Sequence, residues 1–72
     1  MKLSEAPINV ELSIEQIKGK ASVVKHLAAL GLTKGSEIAL LSNQHGAVVL
    51  VVKESRLAMD KTMSSNIEVK QK

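Results

Sequence analysis

The stretch Leu27-Ala28-Ala29-Leu30-Gly31-Leu32-Thr33-Lys34-Gly35 decides how this chain folds. It has the composition of a helix end, a glycine stop and a tight turn that leads into a strand. Gly31 stands directly after the last helical position, where the backbone turns left-handed and a Cβ is unfavourable. Leu32 follows it, so its side chain can fold back onto the last helical turn. We therefore expect one helix that ends here and packs on strands formed by the flanking sequence.

Upstream of this stretch, residues 21–30 follow a helical period. The face that this period turns inward is apolar and consists of Val23, Leu27 and Leu30, with Val24 at its flank. The opposite face is small or polar and carries Ser22, Lys25 and Ala29, with His26 at its edge. A helix of about two to three turns does not persist alone in water. The helix must therefore pack on a sheet.

Short segments on both sides of the helix have strand character. Residues 8–14 alternate apolar and polar side chains, as a half-buried strand does. The alternation slips at Glu15-Gln16, which predicts a bulge. Further strands are expected over residues 36–42, 47–53, 56–59 and 67–69, with a hairpin turn at residues 43–46. Asp60 is placed to cap a single helical turn that holds Met63.

These segments predict a mostly β fold. About five short strands, with one amphipathic helix between the first and the second, are typical of a small SH3-like barrel. No linker or repeat divides the sequence, so we expect a single domain over residues 1–72. The longest apolar run, residues 47–52, is far shorter than the ~20 residues that a membrane span requires. The start of the chain lacks the apolar region of a signal peptide, which favours a cytoplasmic protein.

The composition narrows the classes of function. The chain has no cysteine, so thiol nucleophiles and thiolate metal sites are excluded. It has no aromatic residue, which argues against single-stranded nucleic-acid binding by base stacking, so we expect no nucleic-acid partner, with RNA or ribosome binding by an SH3-like barrel as the weaker alternative. The net charge of +3 is ordinary for a soluble domain and could favour an acidic partner.

No catalytic constellation is present in the sequence. The serines are scattered and lack a nucleophile elbow, and the glycines lack a phosphate-loop context. We therefore expect no enzyme activity and no cofactor. His26 and His45 are the only strong nitrogen ligands, and no metal-binding motif connects them. They are weak candidates for transition-metal binding, with solvated surface histidines as the alternative.

The strand expected over residues 47–53 does not alternate between apolar and polar side chains, because residues 47–52 are all apolar. It could be buried on both faces, as periodicity alone allows. A small barrel has only one interior, however, so one face of the strand should point outward. In that case Val49 and Val51 point outward and form an apolar patch suited to a partner or to a homodimer. Both interpretations stay open at this point.

Taken together, these motifs resemble the FeoA family of ferrous iron transport proteins. The match centres on residues 27–35, which look like the family's pattern of leucines followed by two spaced glycines. It continues with Arg56-Leu57-Ala58-Met59 and ends at Ile67-Glu68-Val69, so it covers nearly the whole chain. The domain is also similar to the C-terminal SH3-like module of DtxR-type iron-dependent repressors. The family strand typically has charged residues where this chain has Val49 and Val51.

The resemblance implies an adaptor that works by protein–protein interaction. It predicts a cytoplasmic accessory of bacterial ferrous iron (Fe²⁺) uptake that docks onto the cytoplasmic GTP-binding part of the FeoB transporter, without inserting into the membrane. We assign the contact surface to Ser22, Lys25, His26 and Ala29 on the helix and to Val49 and Val51 on the strand. The alternative is a free-standing, metal-responsive regulatory module similar to the repressor domain, which would bind a transition metal ion.

Overall fold

The computed structural model describes all 72 residues, and its main feature is one antiparallel sheet of five strands. The strands are β1 (Glu11–Ile17), β2 (Glu37–Gln44), β3 (Ala47–Val52), β4 (Ser55–Met59) and β5 (Ile67–Gln71). Helix α1 (Ala21–Ala29) joins β1 to β2, helix α2 (Lys61–Ser64) joins β4 to β5, and a 3-10 turn (Leu3–Glu5) precedes β1. Neither α-helix has the length and apolar character needed to cross a bilayer.

The strand order across the sheet is β4-β3-β2-β1-β5, so β4 and β5 are the edge strands. Each neighbouring pair is antiparallel. The register shifts between Ile14 and Gln16 where β1 pairs with β5, which confirms the bulge predicted at Glu15. A second shift lies between Leu40 and Ser42. The predicted mostly β, SH3-like fold with a helix between the first two strands is confirmed.

The first strand begins later than its sequence pattern predicted. We expected it from Ile8, but β1 begins at Glu11. The reason is Asn9, whose φ of 59° lies in the left-handed region and whose N–H donates to the carbonyl of Leu40 at 2.9 Å. Asn is one of the few residues that adopts this conformation readily. The turn leaves Ile8 45% exposed instead of placing it in the core.

Helix α1 ends as predicted, but its last leucine does not lie in the core. Gly31 adopts a φ of 94°, and its N–H donates to the carbonyl of Ala28 at 3.0 Å. The N–H of Leu32 donates to the carbonyl of Leu27 at 2.9 Å, which completes a Schellman cap. This reversal carries Leu32 into the core and leaves Leu30 40% exposed. The prediction that Leu30 belongs to the inward face is therefore wrong.

The connections after α1 follow the predicted turns. At the β2–β3 hairpin, His45 and Gly46 have φ values of 55° and 95°, and two positive values are typical of a type I′ turn. Lys53, with a φ of 56°, begins the turn between β3 and β4. Asp60 caps α2 as predicted, since its Oδ1 accepts a hydrogen bond from the N–H of Met63 at 2.8 Å.

A single apolar cluster fills the interior. It includes the alternate residues of β3 that we expected to point inward, and it receives Leu27 from α1 and Leu3 from the N-terminal turn. Its members are Leu3, Ala6, Leu12, Ile14, Leu27, Leu32, Ile38, Leu40, Val48, Leu50, Val52, Ile67 and Val69. Leu3 is fully buried, although nothing in its local sequence indicates a core position.

Candidate partner-binding surface

Helix α1 is attached to the barrel along a narrow line. Of its nine residues only Leu27 is buried, while Val23 and Val24 are half-buried. The predicted contact residues Ser22, Lys25, His26 and Ala29 are all exposed on its outer side. Most of the helix surface is therefore accessible to another molecule.

A cleft lies between α1 and the bulged part of β1. Its volume is about 540 Å³, and four of its eight lining residues are hydrophobic. The apolar part of the lining is formed by Ile17, Val24, Ala28 and Leu32. The polar rim is formed by Glu15, Gln16, Thr33 and Lys34. A concave apolar surface with a polar rim is the usual form of a docking groove for a side chain of a partner.

The connection that contains α1 is strongly basic. Lys18, Lys20, Lys25 and Lys34 lie between residues 18 and 36, and this segment has no acidic residue. Because the whole chain has a net charge of only +3, the rest of the molecule is slightly acidic. The positive charge is therefore concentrated around α1, where it favours association with an acidic surface.

The two valines of β3 lie on the outer side of the sheet but are half-buried. Val51 lies between Ala39 and Arg56 in its cross-strand row, and Val49 lies between Ser42 and Ala58. The predicted outward direction agrees with the alternation of burial along β3. Neighbouring side chains cover part of each valine, so the apolar patch is smaller than the sequence suggested.

The predicted contact residues fall into two separate groups. The clefts beside Val49 and Val51 share no lining residue with the cleft beside α1. The residues that line the α1 cleft were missed by sequence reasoning, because Ile17 and Leu32 are far apart in the chain. Two sequence signals lie at this cleft, the bulge predicted at Glu15-Gln16 and the helix end at residues 27–35, but neither showed that the two segments meet.

The two candidate metal ligands are exposed and lie on different elements. His26 is on α1, and His45 is in the β2–β3 turn. No group of three or more His, Cys, Asp or Glu residues is arranged to hold a metal ion. His45 is exposed at the hairpin turn, whereas its neighbour Gly46 is buried against α2.

The fold and these surfaces define a small SH3-like module with an external helix in a basic segment and an open cleft beside it. Comparison with known proteins identifies the family to which this chain belongs. The model of the FeoA domain matches residues 1–71, and the chain therefore belongs to the FeoA family. Proteins of this family are small accessory or regulatory domains, and membership implies a role in ferrous iron transport. No curated protein matches the chain in sequence.

Solved structures agree with this assignment. The chain is similar to the crystal structure of the iron uptake regulatory protein FeoA, with a TM-score of 0.88, 25% identity, and coverage of 99% of this chain and 96% of that one. Iron(II) transport protein A from Clostridium thermocellum gives a TM-score of 0.87 and 22% identity, and the match covers 99% of this chain and 45% of that chain. The structure of the manganese regulator SloR gives a TM-score of 0.83 at 18% identity, and the match covers 99% of this chain and 34% of that chain. The SloR match agrees with the expected similarity to a repressor module.

Proposed function

We propose that this protein is a cytoplasmic accessory of ferrous iron uptake that docks onto the cytoplasmic GTP-binding part of a FeoB-type transporter through α1 and the cleft beside it. The observation that carries the proposal is the attachment of α1 by one buried residue, Leu27. A helix held in this way exposes an outer face and a neighbouring apolar groove at the same time. Both can contact a partner without any change in the barrel.

The chemistry of this surface specifies the partner surface. The four lysines around α1 would attract carboxylates on the partner. This attraction would accelerate the association of the two proteins and orient them relative to each other. The apolar lining of the cleft can accommodate one aliphatic or aromatic side chain of the partner, which would insert beside Val24 and Ala28. An acidic segment with a single protruding apolar residue meets both requirements.

The proposal is tested by titrating the ¹⁵N-labelled protein with the soluble part of the cognate transporter. We expect amide shifts at Ser22, Lys25, His26 and Ala29 and at the residues that line the cleft. Val49 and Val51 are a second predicted contact, and the same titration reports on them. Shifts confined to other surfaces, or no binding, would contradict the assignment.

Two variants separate the contribution of charge to partner binding from the contribution of the shape of the cleft. Lys25→Glu reverses a charge on the outer face and should weaken binding about tenfold, mainly through the association rate. Ala28→Arg fills the cleft and should weaken binding at any ionic strength. Lys70→Glu is the matched control, because it makes the same charge change on β5, outside the proposed surface. Equal losses for Lys25→Glu and Lys70→Glu would indicate a non-specific charge effect.

A second candidate function is a metal-responsive regulatory module, which the similarity in fold to SloR favours. It requires a transition metal to bind directly, with His26 or His45 as a ligand. Calorimetric titration with Mn(II) or Co(II) tests it, together with NMR of the two imidazole rings. The absence of saturable heat and of imidazole shifts would exclude this function.

A further inference from the structure

The two edges of the sheet differ in how their main-chain groups are covered. At β5, the N–H of Val69 donates to the carbonyl of Met1 at 2.8 Å, and the amino group of Met1 donates to the carbonyl of Val69 at 2.9 Å. Lys2 forms a further bridge with Glu68. At β4 the only strand neighbour is β3. The N-terminal residues therefore cover one edge, while the other edge is open.

The hairpin register identifies which groups of β4 are unpaired. Val52 lies opposite Ser55 across the two-residue turn between β3 and β4. Residues that close such a turn exchange hydrogen bonds, and bonded pairs recur at every second position. Ser55 and every second residue after it therefore bond to β3, and the main-chain groups of Arg56 and Ala58 point away from it. Both residues are exposed, and such an open edge pairs readily with another strand.

We propose that β4 pairs antiparallel with β4 of a second copy of this chain, with Ala58 opposite Ala58 at the two-fold axis. In this register each unpaired Ala58 N–H donates to the Ala58 carbonyl of the other copy. Arg56 of each copy lies opposite Asp60 of the other. The backbone of Asp60 is extended, with φ −79° and ψ 176°, so the pairing can continue to this residue.

The apolar side chains of β4 support the same register. Leu57 of each copy lies opposite Met59 of the other, at a position where antiparallel side chains approach closely. Both residues are half-buried and pack at the border of the core, so each has an exposed side that the second copy covers. A register centred on Leu57 instead places Arg56 opposite Ala58, so the opposite-charge pair between Arg56 and Asp60 is lost.

β4 and Asp60, the residue that follows it, together supply both halves of each complementary pair, and this identifies a second copy as the partner. Arg56 and Asp60 form one pair, and Leu57 and Met59 form the other. A two-fold interface requires this kind of self-complementary surface. The paired segment is short, so we expect a reversible dimer whose population depends on protein concentration.

Sedimentation and amide hydrogen exchange of the full chain test the proposal, over roughly micromolar to millimolar concentrations. We expect dimers at the upper end of this range. The amides of Arg56 and Ala58 should exchange freely at low concentration and become protected as dimers form, while that of Leu57 is protected throughout. A monomer at every concentration, with no change at Arg56 and Ala58, would overturn the proposal.

Two variants make the test specific. Arg56→Glu places a carboxylate opposite Asp60 at both ends of the interface and should raise the dimer dissociation constant about tenfold. Lys70→Glu makes the same charge change on the other edge strand and should leave the constant unchanged. A synthetic chain with N-methylated Ala58 lacks the central donor and should remain monomeric with an unchanged circular dichroism spectrum.

Three results would argue against self-pairing. Equal weakening by Arg56→Glu and Lys70→Glu would mean that net charge alone controls association. Dimers that survive N-methylation of Ala58 would place the interface elsewhere. Protection of Arg56 and Ala58 that appears only when the soluble part of the transporter is added would assign the edge to a strand of that partner.

Discussion

The main-chain N–H of Leu32 donates to the carbonyl of Leu27 at 2.9 Å, and both leucine side chains are buried. This bond reverses the chain at the end of α1 and brings the next residues back to the barrel. Leu27 anchors the helix, and Leu32 anchors the turn that leads to β2. The position of the exposed helix face and of its cleft therefore depends on this cap.

Replacing Gly31 should destabilise the protein through backbone strain. The residue has a φ of 94°, and a Cβ would meet only Val52 Cγ2 at an ordinary contact distance of 3.7 Å. We expect Gly31→Ala to cost about 1–2 kcal/mol of unfolding free energy. Gly31→Asn should cost less, because Asn tolerates a positive φ. Urea denaturation measures both, and an unchanged midpoint for Gly31→Ala would contradict the cap.

Truncation of the two leucines at the end of α1 should have unequal effects. Leu27 is 3% exposed, so Leu27→Ala leaves a cavity and should cost about 2–5 kcal/mol. Leu30 is 40% exposed, and Leu30→Ala should change stability by no more than about 0.5 kcal/mol. Chemical denaturation of both variants provides the comparison. Similar losses would mean that Leu30 also contributes to the core.

The hydroxyl of Ser64 should be required for the attachment of α2. Ser64 is fully buried, and its Oγ donates to the carbonyl of Gly46 in the β2–β3 turn at 2.6 Å. Ser64→Ala leaves that carbonyl without its partner, and we expect a loss of about 1–3 kcal/mol. Ser65 is the control, since it is half-buried and its hydroxyl makes only a 3.3 Å bond to Ser4. A thermal denaturation series that ranks Ser65→Ala as the more damaging change would contradict this role.

The ion pair between Lys72 and Glu37 should stabilise the folded state slightly, and this contribution should be lost at alkaline pH. The hydrogen bond to Glu37 raises the pKa of Lys72 above its usual 10.5, with the charges of Glu37 and Glu11 as lesser causes. Because the folded-state pKa is raised, the stabilisation is complete below the unfolded pKa and is lost as the pH rises through the folded one. Both side chains are in contact with solvent, so the effect should be modest and weaken with salt.

Unfolding curves recorded at several alkaline pH values measure the contribution of this ion pair to the free energy of unfolding. Lys72→Met should remove it, whereas Lys70→Met should leave it in place. An identical alkaline profile for the parent chain and Lys72→Met would show that the pair makes no contribution in solution.

Local patterns were sufficient for much of the fold. The glycine stop after α1, the bulge in β1, the hairpin at residues 43–46 and the cap at Asp60 each depend on a few consecutive residues, and each is confirmed. The start of β1 was predicted wrongly. Asn9 is held in its turn by the carbonyl of Leu40, a distant residue that no local pattern includes.

The candidate site was predictable only in part. The outer face of α1 follows from helical periodicity, and the outward direction of Val49 and Val51 follows from alternation in a one-core barrel. The cleft beside α1 does not follow from either pattern. It forms because the bulge of β1 lies beside Ala28 and Leu32, which depends on how the helix packs.

The sequence by itself determined the class of fold, the family and the residues of the exposed helix face, because periodicity, turn chemistry and motif order are local properties. Only the tertiary structure decided which sheet edge is open. Val69 is covered because Met1 reaches it from the opposite end of the chain, while β4 has no such neighbour. The tertiary structure also decided that the bulge of β1 lies beside Ala28 and Leu32, which forms the cleft next to α1. Both outcomes depend on residues that meet only after folding, so no local pattern could specify them.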